Sequence, residues 1–209
     1  QQLAGQVVLV HLGRAVGQAE RHAAHQHRAE RHLVRRAERA VQLGGGRDHR
    51  VENNQFIDCE TGIDVDGRGM DGSAIWQAGQ KIMRDQWNAL PADTRKLYVQ
   101  RYPELSTLLP YLAAEKPVPP ENNTVVRNIA NGSGRFLDIR WNAERTPPRQ
   151  ADNIVATGSS ARSPKSRKDI QAAAQSLGSK SGFNSIPLDQ IGLLDDGSRR
   201  GLPKIPISP

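Results

Sequence analysis

Ala40-Val41-Gln42-Leu43-Gly44-Gly45-Gly46-Arg47-Asp48, then Val51-Glu52-Asn53-Asn54-Gln55-Phe56, then Ile63-Asp64-Val65-Asp66-Gly67-Arg68-Gly69: this stretch decides the fold. Val41-Gln42-Leu43 and Ile63-Asp64-Val65 alternate apolar and polar residues, the period of a strand with one face buried. A shift of 22 residues lays Val41 on Ile63, Gln42 on Asp64, Leu43 on Val65 and Gly45 on Gly67. Short strands, glycine turns and an Asn-Asn bend recurring at this interval predict the coils of a solenoid, whose apolar faces are buried only by stacking. Two unrelated hairpins are the alternative. Asn at the bend tolerates the left-handed backbone that a sharp corner needs.

The pattern resumes further on. Asn122-Asn123-Thr124-Val125-Val126-Arg127-Asn128 repeats the bend, and Phe136-Leu137-Asp138-Ile139-Arg140-Trp141 repeats the strand. Val51 to Ile63 and Val126 to Leu137 are nearly the same step, so Leu137-Asp138-Ile139 is expected to stack on Ile63-Asp64-Val65. A last strand is expected at Asn153-Ile154-Val155-Ala156. Residues 73–121 interrupt the coils with helical texture. A helix is predicted from Ala74 to Leu90, with Ile75, Ala78, Ile82 and Met83 at helical spacing. A second starts at Pro91-Ala92-Asp93, and a third runs from Tyr102-Pro103-Glu104-Leu105 through Leu112 before Pro117, Pro119 and Pro120. Trp76, Trp87, Tyr98, Tyr102 and Tyr111 lie in or beside this insertion, either as a platform for a sugar or as its packing onto the coil. The expected organisation is therefore an atypical segment over 1–39, coils over 40–72, insertion over 73–121, coils over 122–158, a polar loop over 159–181, and a cap and tail over 182–209.

The pieces Gly44–Cys59, Arg101-Tyr102-Pro103-Glu104-Leu105 and Gly182-Phe183-Asn184-Ser185-Ile186-Pro187-Leu188-Asp189-Gln190-Ile191-Gly192-Leu193 resemble the late coils, lateral insertion and terminal cap of secreted bacterial proteins with the pectin-lyase-like fold. His49 stands where that family commonly has Asn. Ser163-Pro164-Lys165-Ser166 and Ser176-Leu177-Gly178 depart from the family's elements before the cap. The resemblance implies an all-β fold: the few C-terminal coils of a right-handed parallel β-helix, with a helical lateral insertion. It also implies a glycoside hydrolase or polysaccharide lyase class and an extracellular or periplasmic setting. The partner is then a polysaccharide or oligosaccharide. No cofactor is expected, with Ca²⁺ entering only for a lyase.

The stacking places Gln42, Asp64 and Asp138 in one outward ladder. Neighbouring strands lie about 4.8 Å apart, so two carboxylates on adjacent coils fall near the roughly 5 Å separation of a retaining glycosidase pair. Asp64 and Asp138 are thus the candidate acid and nucleophile, with Asp66 two residues along the same face. Arg140, Arg68 and Trp141 are the candidate substrate contacts, and Arg140 has the charge to hold an acidic sugar or depress a carboxyl pKa. A solvated outer face that carries Asp freely, in a non-catalytic structural or adhesive protein, is the competing expectation. Arg47 and Asp48 are expected to pair and fix the glycine turn.

The composition qualifies any nucleic-acid reading. The chain has 209 residues, a net charge of +7, 36% hydrophobic residues, 4% aromatics and a single cysteine, Cys59, which excludes an internal disulfide framework. Residues 1–50 hold nine Arg against three Glu and one Asp, giving +5, and all six His, while the other 159 residues carry +2. No apolar run is long enough to span a membrane. Over 1–39 three readings are open. One is a basic helix on nucleic acid; one is a metal site from His22, His25, His27 and His32. The third is out-of-frame translation of GC-rich DNA, which the excess of Arg, Ala, Gly, His and Gln fits best, so this segment is expected to be helical or disordered. Neither a nucleic-acid nor a membrane partner is expected. With no initiator Met and no basic-then-apolar signal pattern at Gln1-Gln2-Leu3, the chain is expected to be a fragment or a processed piece.

Overall fold

A computed structural model describes residues 28–70, 74–140, 147–156, 163–179 and 181–188. Eleven short strands follow one another in sets. The first set is β1 (Arg28–Glu30), β2 (Leu33–Arg35) and β3 (Arg39–Gly44); the second is β4 (Arg50–Glu52), β5 (Gln55–Ile57) and β6 (Thr61–Asp66). The third set is β7 (Thr124–Val126), β8 (Ile129–Asn131) and β9 (Arg135–Arg140), followed by β10 (Arg149–Ala151) and β11 (Ile154–Ala156). They form three sheets with orders β1-β4-β7-β10 (sheet 1), β2-β5-β8-β11 (sheet 2) and β3-β6-β9 (sheet 3). Every pairing is parallel. The chain thus visits the three sheets in rotation, and each strand bonds to its counterpart one set earlier and one set later.

The register is the one the 22-residue shift predicts: Val41 opposite Ile63 and Gln42 opposite Asp64. Ile63 then sits opposite Leu137 and Asp64 opposite Asp138. One residue in two turns inward. Ala29, Val51 and Val125 from sheet 1 meet Val34, Phe56 and Ala130 from sheet 2, and Val41, Leu43, Ile63 and Val65 from sheet 3, in one core that also takes Cys59. Phe56, Ile63 and Val65 have no exposed surface. Each such side chain stabilises the fold by about 1.5–3 kcal/mol. A three-residue strand asks for a single apolar side chain, which is why a chain of low hydrophobicity suffices.

The corners carry the other repeated constraint. After each sheet 1 strand the chain turns through a residue of positive φ: Arg31, Asn53, Arg127 and Asp152. After the sheet 2 strands the same place is held by Arg36, Asp58 and Gly132. Beside the first corner the side chains of Asn54, Asn128 and Asn153 stack. Asn54 N and Nδ2 both donate to Asn128 Oδ1 at 3.0 Å, and Asn128 N and Nδ2 both donate to Asn153 Oδ1 at 3.0 Å. Each Nδ2 also reaches back to a strand carbonyl: Asn54 to Ala29 O, Asn128 to Val51 O and Asn153 to Val125 O. His32 ends the ladder, its N–H donating to Asn54 Oδ1 at 2.9 Å.

Three expectations change here. Residues 28–39, expected to be helix or disorder, supply β1, β2 and the start of β3. The reason is that the 22-residue shift continues upstream, setting Ala29 on Val51 and Val34 on Phe56; residues 1–27, with His22, His25 and His27, lie outside the described residues. The expected polar loop contains α4 (Arg167–Gly178), started by a capping box in which Asp169 N donates to Ser166 Oγ and Ser166 N donates to Asp169 Oδ2. Its Ile170 and Ala174 cover the outer face of sheet 2 at Ile57 and Ile129, together with Phe183, Ile186 and Leu188 of the expected cap. The cap is pinned by Asn184 N donating to Asn53 Oδ1 and Asn53 Nδ2 donating to Asn184 O; Ile191 and Leu193 lie outside the described residues. With three all-parallel sheets and four helices among the described residues, the architecture is parallel and β-rich.

The insertion forms α1 (Ala74–Ala89), α2 (Ala92–Arg101) and α3 (Leu105–Ala113), near the expected bounds. The stripe of α1 is the third difference. Ile75, Ile82 and Met83 are exposed, and the half-buried positions are Trp76, Gln80, Arg84 and Trp87, offset from the apolar stripe. α1 and α2 both pack on α3. No helix among the described residues is long and apolar enough to cross a membrane.

Two outcomes follow from these corners. Arg36 occupies a left-handed position that costs a side-chain-bearing residue about 1–2 kcal/mol, and glycine holds the equivalent place at 132. Arg36→Gly should therefore raise the thermal midpoint, and a fall would show that the corner does not strain the arginine. Asn128→Leu should lower the urea midpoint sharply, because Asn54 N–H and Val51 C=O lose their partners at about 1–3 kcal/mol each; an unchanged midpoint would refute the role assigned to the ladder.

Candidate functional site

Sheet 3 carries the predicted residues on its outer face. Gln42, Asp64 and Asp138 stand in register on β3, β6 and β9, and Asp66 stands opposite Arg140. Gly44, opposite Asp66, has no side chain, and the Arg68 guanidinium lies 3.4 Å from where a Cβ would be. Arg68 thereby folds back from the turn after β6 and pairs with Asp66 at 2.8 Å. Trp141 lies outside the described residues.

The carboxylates are not free for one another. Asp64 is 1% exposed. Arg140 grips it with both arms of its guanidinium, Nε to Oδ1 at 2.7 Å and Nη2 to Oδ2 at 2.6 Å. Arg39 approaches the same Oδ2 at 3.5 Å. The Asp64 hydrogen bond, with the nearby Asp66 and Asp138 charges, holds Arg140 above the ordinary guanidinium pKa. Asp66 accepts from Gln42 Nε2 at 3.2 Å and from its own turn at Arg68 N. Asp138 is more open and pairs with Arg135 at 3.3 Å. The sequence reading brought Asp64, Asp66, Asp138, Arg68 and Arg140 together and missed Arg39 and Arg135. Both begin a sheet 3 strand, opposite Thr61, and that strand-start position was the available signal.

This arrangement constrains the chemistry. A nucleophilic carboxylate needs an accessible oxygen lone pair, and both oxygens of Asp64 are occupied and buried. A general acid must turn an oxygen toward the bond it protonates, and both Asp64 oxygens are turned to the Arg140 guanidinium. For calcium, carboxylates must converge on one point; each here faces an arginine instead. Among the described residues no group of three or more His, Cys, Asp or Glu side chains is placed to hold a metal ion. Cys59 lies in the core, where burial pushes its thiol pKa up and leaves it without nucleophilic character.

The glycine turn and the insertion meet nearby. Arg47, expected to pair with Asp48, lies 3.9 Å from that carboxylate but makes its closer contacts to the insertion. It bonds Glu121 Oε2 at 3.2 Å and Thr107 Oγ1 at 3.0 Å, and its guanidinium lies 5.4 Å from the Tyr111 ring centre. Tyr111 OH donates to Glu121 Oε1 at 2.8 Å, which raises the phenol pKa. Trp87, Tyr98 and Tyr102 contact one another. Four of the five insertion aromatics thus pack the insertion, and Trp76 lines a cavity. No family model, curated protein or solved structure matches the chain.

The grip on Asp64 has a measurable consequence. Arg140→Met strands a buried carboxylate and should cost about 3 kcal/mol, since breaking a buried pair from one side costs about 3–5 kcal/mol and Arg39 remains. Asp64→Leu with Arg140→Met should recover most of that loss in urea titrations. Equal midpoints for the single and double variants would show that Asp64 does not depend on Arg140.

Proposed function

We propose that the three sheets are the wall of a right-handed parallel β-helix of the pectin-lyase-like kind, and that the chain binds polysaccharide along the outer face of sheet 3 without cleaving it through Asp64. The observation that carries this reading is the ladder itself: polar side chains repeated at strand spacing on a flat parallel face, with Arg39, Arg68, Arg135 and Arg140 set among Gln42, Asp64, Asp66 and Asp138. A repeating polymer meets a repeating surface, and a rigid sheet presents its donors at no ordering cost. The burial and double pairing of Asp64 favour binding over a paired-carboxylate hydrolysis. The same reading expects an extracellular or periplasmic setting, where such polymers are met.

The test is affinity electrophoresis in gels holding a polyuronate, a sulfated polysaccharide or a neutral glucan. Arg68→Gln with Arg135→Gln should weaken retardation at least about threefold, because both guanidinium groups are partly exposed and each contributes a charge-assisted contact. Retardation unchanged in that variant sinks the binding strip. Sugar cleavage that disappears in Asp64→Asn sinks the non-catalytic part.

A further inference from the structure

A cavity of about 260 Å³ opens between α1 and the end of α3, beside the turn that follows β6. Gly69 forms part of its wall, at a point where a Cβ would lie 2.5 Å from Val118 O and 3.7 Å from Gln80 Nε2. The absence of a side chain there is what lets the link after α3 pass close to the turn at Val118. Trp76, Gln77, Gln80, Arg84 and Lys116 project around it. Its volume lies just below the roughly 300 Å³ at which pockets for drug-sized ligands begin, the size of one small ring.

The lining has binding capacity that the protein leaves unused. Trp76 lines the cavity while Trp87, Tyr98 and Tyr102 are engaged with one another. Among the described residues, the side-chain amides of Gln77 and Gln80 have no hydrogen-bond partner and the Lys116 ammonium has no ion-pair partner. Arg84 reaches Glu115 at 3.5 Å, and Lys81 is turned to Asp85 at 2.5 Å. Of the three lining cations, Lys81 and Arg84 are thus answered by Asp85 and Glu115, and Lys116 is the one left over among the described residues.

We propose that this cavity is a separate subsite for one anionic sugar unit, a pyranose bearing a carboxylate or sulfate. It rests on the polysaccharide reading above and adds a second, enclosed contact beside sheet 3. The weakly polar face of a pyranose stacks on the Trp76 ring, its hydroxyls meet the Gln77 and Gln80 amides, and its charged group meets Lys116 and Arg84. A neutral sugar leaves the Lys116 ammonium unanswered, which sets the preference for an anionic unit.

The experiment titrates the full chain with a uronate trisaccharide, a sulfated trisaccharide, a neutral trisaccharide and inorganic phosphate, following tryptophan fluorescence and calorimetric heat. Wild type should bind one or both charged trisaccharides at least about tenfold more tightly than the neutral one or phosphate. Lys116→Gln should remove most of that preference, Trp76→Ala should remove the fluorescence change, and Lys96→Gln, the same charge loss on α2, should change nothing. Should Trp76→Ala unfold the insertion, Trp76→Phe keeps a ring and is expected to retain binding with a smaller signal. Charged-sugar binding that survives Lys116→Gln but falls in Arg68→Gln with Arg135→Gln overturns the cavity and leaves the sheet 3 strip. Binding lost only in Lys116→Gln supports the cavity and overturns the strip. Phosphate binding as tight as the sugars, or no binding by wild type, overturns the cavity.

Discussion

The corner between sheets 1 and 2 has to turn the backbone in two residues, and at Asn53-Asn54 it does so buried, with the cap bonded to Asn53. Its N–H and C=O groups cannot reach water there, and each needs a partner from the chain itself. Asn54, Asn128 and Asn153 provide one by acting along the stack. The Asn128 and Asn153 carbonyl oxygens accept from the backbone and amide of the coil before, Asn54 Oδ1 accepts from His32 N, and each amide nitrogen bonds a strand carbonyl one set back. Such a ladder can form only when equivalent residues stand directly above one another. It therefore fixes the register of the strands on either side, where a slip of one residue would turn Phe56 or Val51 out of the core.

Fixed register is what gives sheet 3 its chemistry. The strands β3, β6 and β9 follow the ladder by a few residues, so their side chains arrive at set heights. Asp64 then lies under Asp138 and within diagonal reach of Arg140 of the next coil, and Asp66 lies over the gap left by Gly44 of the previous one. The excursion of 73–121 does not disturb this, because the step from Val51 to Val125 is 74 residues where that from Ala29 to Val51 is 22, yet both pairs stack. The insertion leaves and rejoins the wall at one corner, and Arg47 holds it there through Glu121, Thr107 and Tyr111.

The 22-residue shift made sheet 3 legible because Val41, Leu43, Ile63 and Val65 are apolar where the pattern needs them and Asp138 follows at the right step. The three insertion helices were legible from their prolines and spacing. Residues 28–39 were not, because their composition spoke louder than their period. Arginine at positions 31, 35, 36 and 39 hid Ala29, Val34 and Ala37, which alone face the core. α4 was hidden in the same way: the basic run Ser163–Lys168 drew attention from Ser166 and Asp169, the two residues that start it, and from Ile170, Ala174 and Leu177 at helical spacing. The exposed Ile75 and Ile82 mislead in the opposite sense, since the face of α1 toward the coil is lined by Trp76, Gln80, Arg84 and Trp87, whose long stems pack while their polar ends stay wet.

The excess of arginine in the first fifty residues gains a structural meaning from the same geometry. On a stack of short strands an outward arginine can reach one coil along the stack, and the acidic residues lie one coil away. Arg39 reaches Asp64, and Arg35 reaches Asp58 and also donates to Pro164 O ahead of α4. Arg47 reaches Glu121 across the root of the insertion. Arg50 and Arg127 close on the buried Glu52 from its own strand and from the next coil. Basic charge on one coil is thus answered by acidic charge on another, and +5 counted along the sequence is not +5 of free surface. What this pairing leaves on sheet 3 is a row of guanidinium groups, those of Arg39, Arg68, Arg135 and Arg140, each held beside a carboxylate by the register of the strands.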